Sequence, residues 1–99
     1  DAFKMLKKAN KIKKNDGYIV DSLGWAYFKL GDYKKAKKYL QLAVIIMPSD
    51  PTINDHYGDS LWMNKNEIQA RYYWNYVLSL EKAKNDLKKS IEKKLIKGL

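Results

Sequence analysis

Residues 17–50 read GYIVDSLGWAYFKLGDYKKAKKYLQLAVIIMPSD, and the fold turns on the spacing of their apolar side chains. Val20, Leu23, Gly24, Tyr27 and Leu30 recur at three- and four-residue steps, which puts them on one face of a helix. Ala36, Leu40, Ala43 and Ile46-Met47 follow the same period further along. Between the two runs, Gly31-Asp32 suits a helix stop followed by an N-cap. Pro48-Ser49-Asp50-Pro51 closes the second helix and opens another, with Asp50 as cap and Pro51 at the first helical position. Asn15-Asp16-Gly17 upstream and Asn64-Lys65-Asn66 downstream read as the same kind of punctuation.

Working outward, the chain aligns with itself when shifted by 34 residues. Ile19, Asp21, Gly24, Ala36 and Tyr39 fall on Ile53, Asp55, Gly58, Ala70 and Tyr73. In the same register, Ala2, Leu6, Ala9, Ile12 and Asp16 fall on Ala36, Leu40, Ala43, Ile46 and Asp50. The tail follows by type, with Leu87, Ile91 and Leu95 on Ile53, Tyr57 and Leu61. Such a unit cannot bury its apolar face alone, so stacked neighbours must supply the core.

Gly17 to Asp50 resembles the tetratricopeptide repeat. It supplies Val20, Leu23-Gly24, Tyr27, Ala36, Leu40, Ala43 and Pro48 at that family's spacings. The second unit keeps Gly58, Leu61, Ala70 and Trp74 and departs at Tyr57, Val77 and Lys82. The resemblance implies an all-α fold of antiparallel helix pairs stacked as a right-handed superhelix, an α-solenoid. Six helices are expected, near 2–14, 17–31, 34–47, 51–64, 67–82 and 85–97. Residues 1–16 would hold the second helix of a truncated preceding repeat, 17–50 and 51–84 two repeat units, and 85–99 a closing helix. The segments Asp21 to Tyr27, Pro51 to Trp62 and Ala70 to Trp74 also look like the C-terminal portion of a group of larger bacterial tetratricopeptide proteins. Some of these are envelope lipoproteins that act as adaptors for C-terminal-processing proteases. That likeness leaves cytoplasm and periplasm or envelope both open.

In a solenoid of paired helices, the first helix of each pair lines the concave groove. Beside the packing face, the first unit presents Tyr18, Asp21, Trp25 and Phe28, and the second presents Thr52, Asp55, Asp59 and Trp62. The candidate site is therefore Tyr18, Asp21, Trp25, Phe28, Asp55, Asp59 and Trp62. Rigid aromatic rings are the usual material of binding hot spots. The three carboxylates favour a ligand carrying Lys, Arg or free backbone N–H groups, and repel a phosphate backbone. The expected partner is a protein or peptide segment. Two plainer readings stand beside this one. Trp25 and Trp62 could pack against a neighbouring repeat, and Asp21 and Asp55 could merely favour the helix N-terminus.

The remaining composition narrows the alternatives. Net charge is +9, but the formal balance is +4 over residues 1–16, +2 over 17–50, zero over 51–84 and +3 over 85–99. The basic excess sits at the ends, which makes nucleic acid an unfavoured partner for the middle. The Lys-rich helices 2–14 and 85–97 could meet an anionic surface. However, their apolar residues hold the repeat register and should pack inward, leaving the lysines solvated. An exposed apolar edge on 2–14 would promote self-association. The longest unbroken apolar run is Leu42 to Met47, far short of the about 20 residues of a transmembrane helix. The opening Asp1-Ala2-Phe3-Lys4 reads as a piece of something longer. With no cysteine and one histidine, His56, a metal site is not expected. Ser60, one turn from His56, lacks the setting of a nucleophile, and no glycine-rich phosphate loop is present. No enzyme activity and no cofactor are expected.

Overall fold

A computed structural model describes residues 14–99, and all regular structure among them is helical. Five helices follow in order: α1 (Lys14–Lys29), α2 (Tyr33–Ile46), α3 (Pro51–Met63), α4 (Glu67–Leu78) and α5 (Asn85–Lys97). The helix expected near 2–14 lies outside the described residues, save for Lys14, which belongs to α1. So does the edge expected to drive self-association.

Local chemistry sets most of the boundaries. Gly31 takes a φ of 83°, the left-handed conformation that ends a helix at little cost to glycine. Asp32 then caps α2, its carboxylate accepting from the Lys35 amide at 3.2 Å. Asp50 caps α3 in the same way, accepting from the Ile53 amide at 3.0 Å, with Pro51 in the first turn.

Three boundary readings need correction. Asn15-Asp16-Gly17 is not a break: all three lie within α1, where Asp16 suits the first turn. Gly17 serves packing instead, since a Cβ there would come 2.7 Å from Met47 Cγ. Leu30 is 80% exposed rather than on the packing face. The chain leaves the helical path there, as the Leu30 amide is shared between the Ala26 and Tyr27 carbonyls. The helix expected to reach residue 82 ends at Leu78. The Ser79 hydroxyl donates to the Tyr76 carbonyl at 2.6 Å, and the chain turns through Leu80 to bury Ala83.

Packing follows from two close approaches. A Cβ on Gly24 would meet Leu40 Cγ at 2.7 Å, and one on Gly58 would meet Trp74 Nε1 at 2.5 Å. Each glycine lets the second helix of a pair sit against the first. Gly17 faces Met47 while Gly24 faces Leu40, so contacts run in opposite senses and α1 and α2 are antiparallel. The first helices run in the same sense as one another: Tyr18 reaches Asp50 and Asp21 reaches His56 across α1 and α3. One buried cluster joins Ala36 and Leu40 of α2, Tyr57 and Leu61 of α3, Trp74 and Val77 of α4, and Ile91 of α5. A second gathers Val20, Tyr39, Ala43 and Ile53. The molecule measures 41 × 29 × 19 Å, and its thinnest dimension is that of two helix layers.

In the repeat register α5 is a third first helix, with Ile91 fully buried and Leu87 and Leu95 packed against the core. It differs at one decisive place. The 34-residue shift carries Gly24 and Gly58 to Glu92. α5 thus lacks the glycine at which α2 and α4 approach their partners.

Candidate functional site

The expected groove residues sit on α1 and α3, and the structure gives most of them partners inside the protein. Asp21 meets His56 of α3, with Oδ1 3.0 Å from Nδ1. Trp25 lies flat against His56, with ring centroids 3.9 Å apart and planes 11° off parallel. Phe28, one turn on, stacks with Trp25 at 4.6 Å. Neighbouring helices α1 and α3 are thus joined by an acid–imidazole contact and a stack of three rings. Trp25 and Phe28 remain half-buried, and Tyr18 is exposed. The Tyr18 hydroxyl donates to Asp50 Oδ2 at 3.2 Å, and the adjacent carboxylate raises its ionisation above the usual tyrosine value.

Asp55 and Asp59 form the second linkage. The Lys94 ammonium of α5 donates to Asp55 Oδ1 at 2.8 Å and to Asp59 Oδ1 at 2.9 Å. The Trp74 indole N–H adds a bond to Asp59 at 3.1 Å. The side chains of Lys94, Asp55 and Asp59 retain only 16%, 10% and 7% of their exposure. Burial, followed by the charge of Asp55, raises the Asp59 carboxyl to about 6, against the opposing pull of Lys94 and Trp74. Burial acts to lower the Lys94 ammonium, but the two carboxylates outweigh it and the net direction is upward.

These contacts give the three groove carboxylates partners within the protein. Asp21 is in contact with His56, and Asp55 and Asp59 share the ammonium of Lys94. Trp62 is likewise covered. It stacks with Trp74 at 5.6 Å, carries the Arg71 guanidinium 4.9 Å above its ring, and has Gly98 against it. Tyr18 is exposed, whereas Trp25, stacked between His56 and Phe28, and Phe28 itself are, like Trp62, half-buried.

Sequence reasoning missed two partners. His56 was weighed only as a ligand or a base, and Lys94 was placed with the solvated lysines of α5. Their positions carry a signal nonetheless. Asp21 to His56 and Asp59 to Lys94 are both 35 residues apart, the repeat length plus one. Each time, an acid on one first helix meets a cation or imidazole on the next. Asn54 was also missed. It is buried where the first repeat has Val20, and its amide donates to the Pro48 and Asp50 carbonyls at 3.0 and 2.8 Å.

The Ser60 hydroxyl donates to the Tyr57 carbonyl at 2.7 Å instead of pairing with His56. Among the described residues no group of three or more His, Cys, Asp or Glu could hold a metal ion. No buried side-chain polar atom among them lacks a partner.

Comparison with known proteins bears on the same stretch. No curated protein and no solved structure matches the chain. Residues 20–50, from the middle of α1 to the cap of α3, match the family model of the tetratricopeptide repeat, and this match supports a tetratricopeptide-repeat protein.

Proposed function

We propose that the chain is a protein–protein interaction module, a scaffold or adaptor piece that takes a peptide or protein segment against the α1–α3 face. Tetratricopeptide repeats generally mediate protein–protein interaction, and the repeat is a non-catalytic scaffold, so we assign the chain no reaction. The supporting observation is the stack of Trp25 with His56 and Phe28. It holds two half-buried rings rigidly at the surface, where contact costs little side-chain entropy. Tyr18 extends the same stripe. With Asp21, Asp55 and Asp59 compensated internally, the ligand chemistry is chiefly apolar and aromatic.

Residues 17–50 and 51–84 are taken as the two repeat units, 1–16 as the remainder of a preceding one and 85–99 as the closing helix. We also place the chain toward the C-terminus of a larger bacterial repeat protein akin to the protease adaptors, on the motifs at 21–27 and 51–62. A second reading, that the segment is a structural cap of a longer solenoid, draws on Glu92 and on Lys94, which seals Asp55 and Asp59.

Replacing Trp25 and Phe28 together with Ala separates the two. The double variant should stay helical by circular dichroism. If the face binds a partner, proteins captured from the source cell on the natural chain should be retained at least ten-fold more weakly by the double variant. Equal capture would remove the groove and leave the cap.

A further inference from the structure

The outer sides of α2 and α4 form a different surface. Ala36 and Leu40 of α2, and Ala70 and Trp74 of α4, are wholly buried in one core. Two residues back on each helix, the side chains turn the other way: Lys34 and Lys38 on α2, Ile68 and Tyr72 on α4. The 34-residue shift carries Lys34 to Ile68 and Lys38 to Tyr72, so the two rows occupy equivalent places in successive repeats. At their N-terminal ends the rows are tied by Lys37 Nζ, 3.3 Å from Asn66 Oδ1.

This surface has an unusual composition. The α2 helix carries four lysines and no acid. The nearest carboxylates are occupied: Asp32 caps the helix beside Lys35, and Glu67 lies 3.9 Å from Arg71. The same outer faces carry large apolar side chains that are mostly exposed. Ile45 is 67% exposed, Ile68 86% and Tyr72 67%.

We propose that this face docks on an anionic lipid bilayer. Lysines beside a negatively charged leaflet are attracted by its surface potential. Isoleucine and tyrosine at the same level gain by entering the boundary between headgroups and acyl chains. A nucleic acid would satisfy Lys34 and Lys38 but leave Ile68 and Tyr72 idle. A second copy of the chain would bring these lysines against themselves. The docking is peripheral, and it leaves the α1–α3 face free.

Cosedimentation of the full chain with vesicles tests the proposal. The vesicles are phosphatidylcholine alone or phosphatidylcholine with phosphatidylglycerol. A parallel arm offers a generic DNA duplex. Two variants accompany the natural chain, Lys34→Glu/Lys38→Glu and Ile68→Ser/Tyr72→Ser. All four positions are exposed, and unchanged helicity by circular dichroism verifies folding. The natural chain should bind the anionic vesicles and not the neutral ones. The lysine variant should bind at least ten-fold more weakly, since one lysine near such a surface contributes roughly five-fold, and the Ile68/Tyr72 variant should bind more weakly through lost apolar insertion. Absence of binding overturns the proposal. Binding that survives in either variant overturns it too, assigning attraction to the basic ends or to charge alone. Tighter binding to the duplex than to the vesicles makes nucleic acid the partner instead.

Discussion

The carboxylate of Asp59 accepts from Trp74 and from Lys94, and shares that ammonium with Asp55. Burial, and after it the charge of Asp55, outweighs the pull of Lys94 and Trp74, which is why the Asp59 carboxyl rises from 3.8 to about 6. Between those values the folded chain holds a proton that the unfolded chain has released. Stability from this group is therefore fully present below about pH 4 and is lost as pH rises through 6, by roughly 2–3 kcal/mol. Asp59→Asn keeps an oxygen for the Trp74 N–H and for Lys94 but removes the ionisation. Denaturant unfolding of both chains from pH 4 to pH 7 should show Asn gaining on Asp by that amount, mostly between pH 4 and 6. A constant difference would mean that Asp59 ionises in the folded chain as it does in the unfolded one. None of this was legible from residue 59 alone. The aspartate and its helix face could be read, but Lys94 is 35 residues away, and its role depends on how α5 meets α3.

Helices were the most legible feature, because their signals are local. Spacing at three and four residues, Asp32 and Asp50 as caps, and Pro51 in a first turn each act within a few residues. The errors have the opposite character. Gly17 looks like punctuation until Met47 is seen against it, and Leu30 fits the apolar period although the helix has already ended. The aromatic residues could be read as a stripe, while the covering of Trp62 by Arg71 and Gly98 could not, since one comes from α4 and the other from the chain just past α5. Close packing of paired helices gives the prediction at this scale. Gly58→Ala should raise intrinsic helix propensity by about 1 kcal/mol. The added Cβ, however, lands 2.5 Å from Trp74 Nε1, where it also disturbs the bond to Asp59. Overpacking of this kind costs about 1–3 kcal/mol, so the net change should be destabilising by up to about 2 kcal/mol. A lower denaturant midpoint, with less quenching or a shifted emission from Trp74, is the expected result. A higher midpoint would show that α3 and α4 separate easily.

Across the whole molecule, the two proposed surfaces lie on different helices: ring contacts on the first helices, lysines with exposed isoleucine and tyrosine on the second. An adaptor held against a bilayer by α2 and α4 would keep α1 and α3 available for a partner. That arrangement requires the stack to behave as one body, which is not guaranteed in a repeat protein, where each unit touches only its neighbours. The core argues for unity here. Its main cluster runs without a gap from Ala36 in α2 to Ile91 in α5, so no helix pair buries its apolar face by itself. Ile91 is the test residue, since it is wholly buried at one end of that cluster, and α5 also delivers Lys94 to α3. Ile91→Ala should cost about 2–4 kcal/mol from lost burial and the cavity left behind. If the stack is one cooperative unit, the loss appears as a single transition moved to lower temperature, with far-UV circular dichroism and tryptophan fluorescence still superimposing. If the end unit melts alone, fluorescence should change first, because Trp62 and Trp74 stand next to α5 while α1 and α2 keep their helical signal. Separated transitions would then limit the rigid part of the molecule to residues 17–50, and the two surfaces would no longer be coupled through the fold.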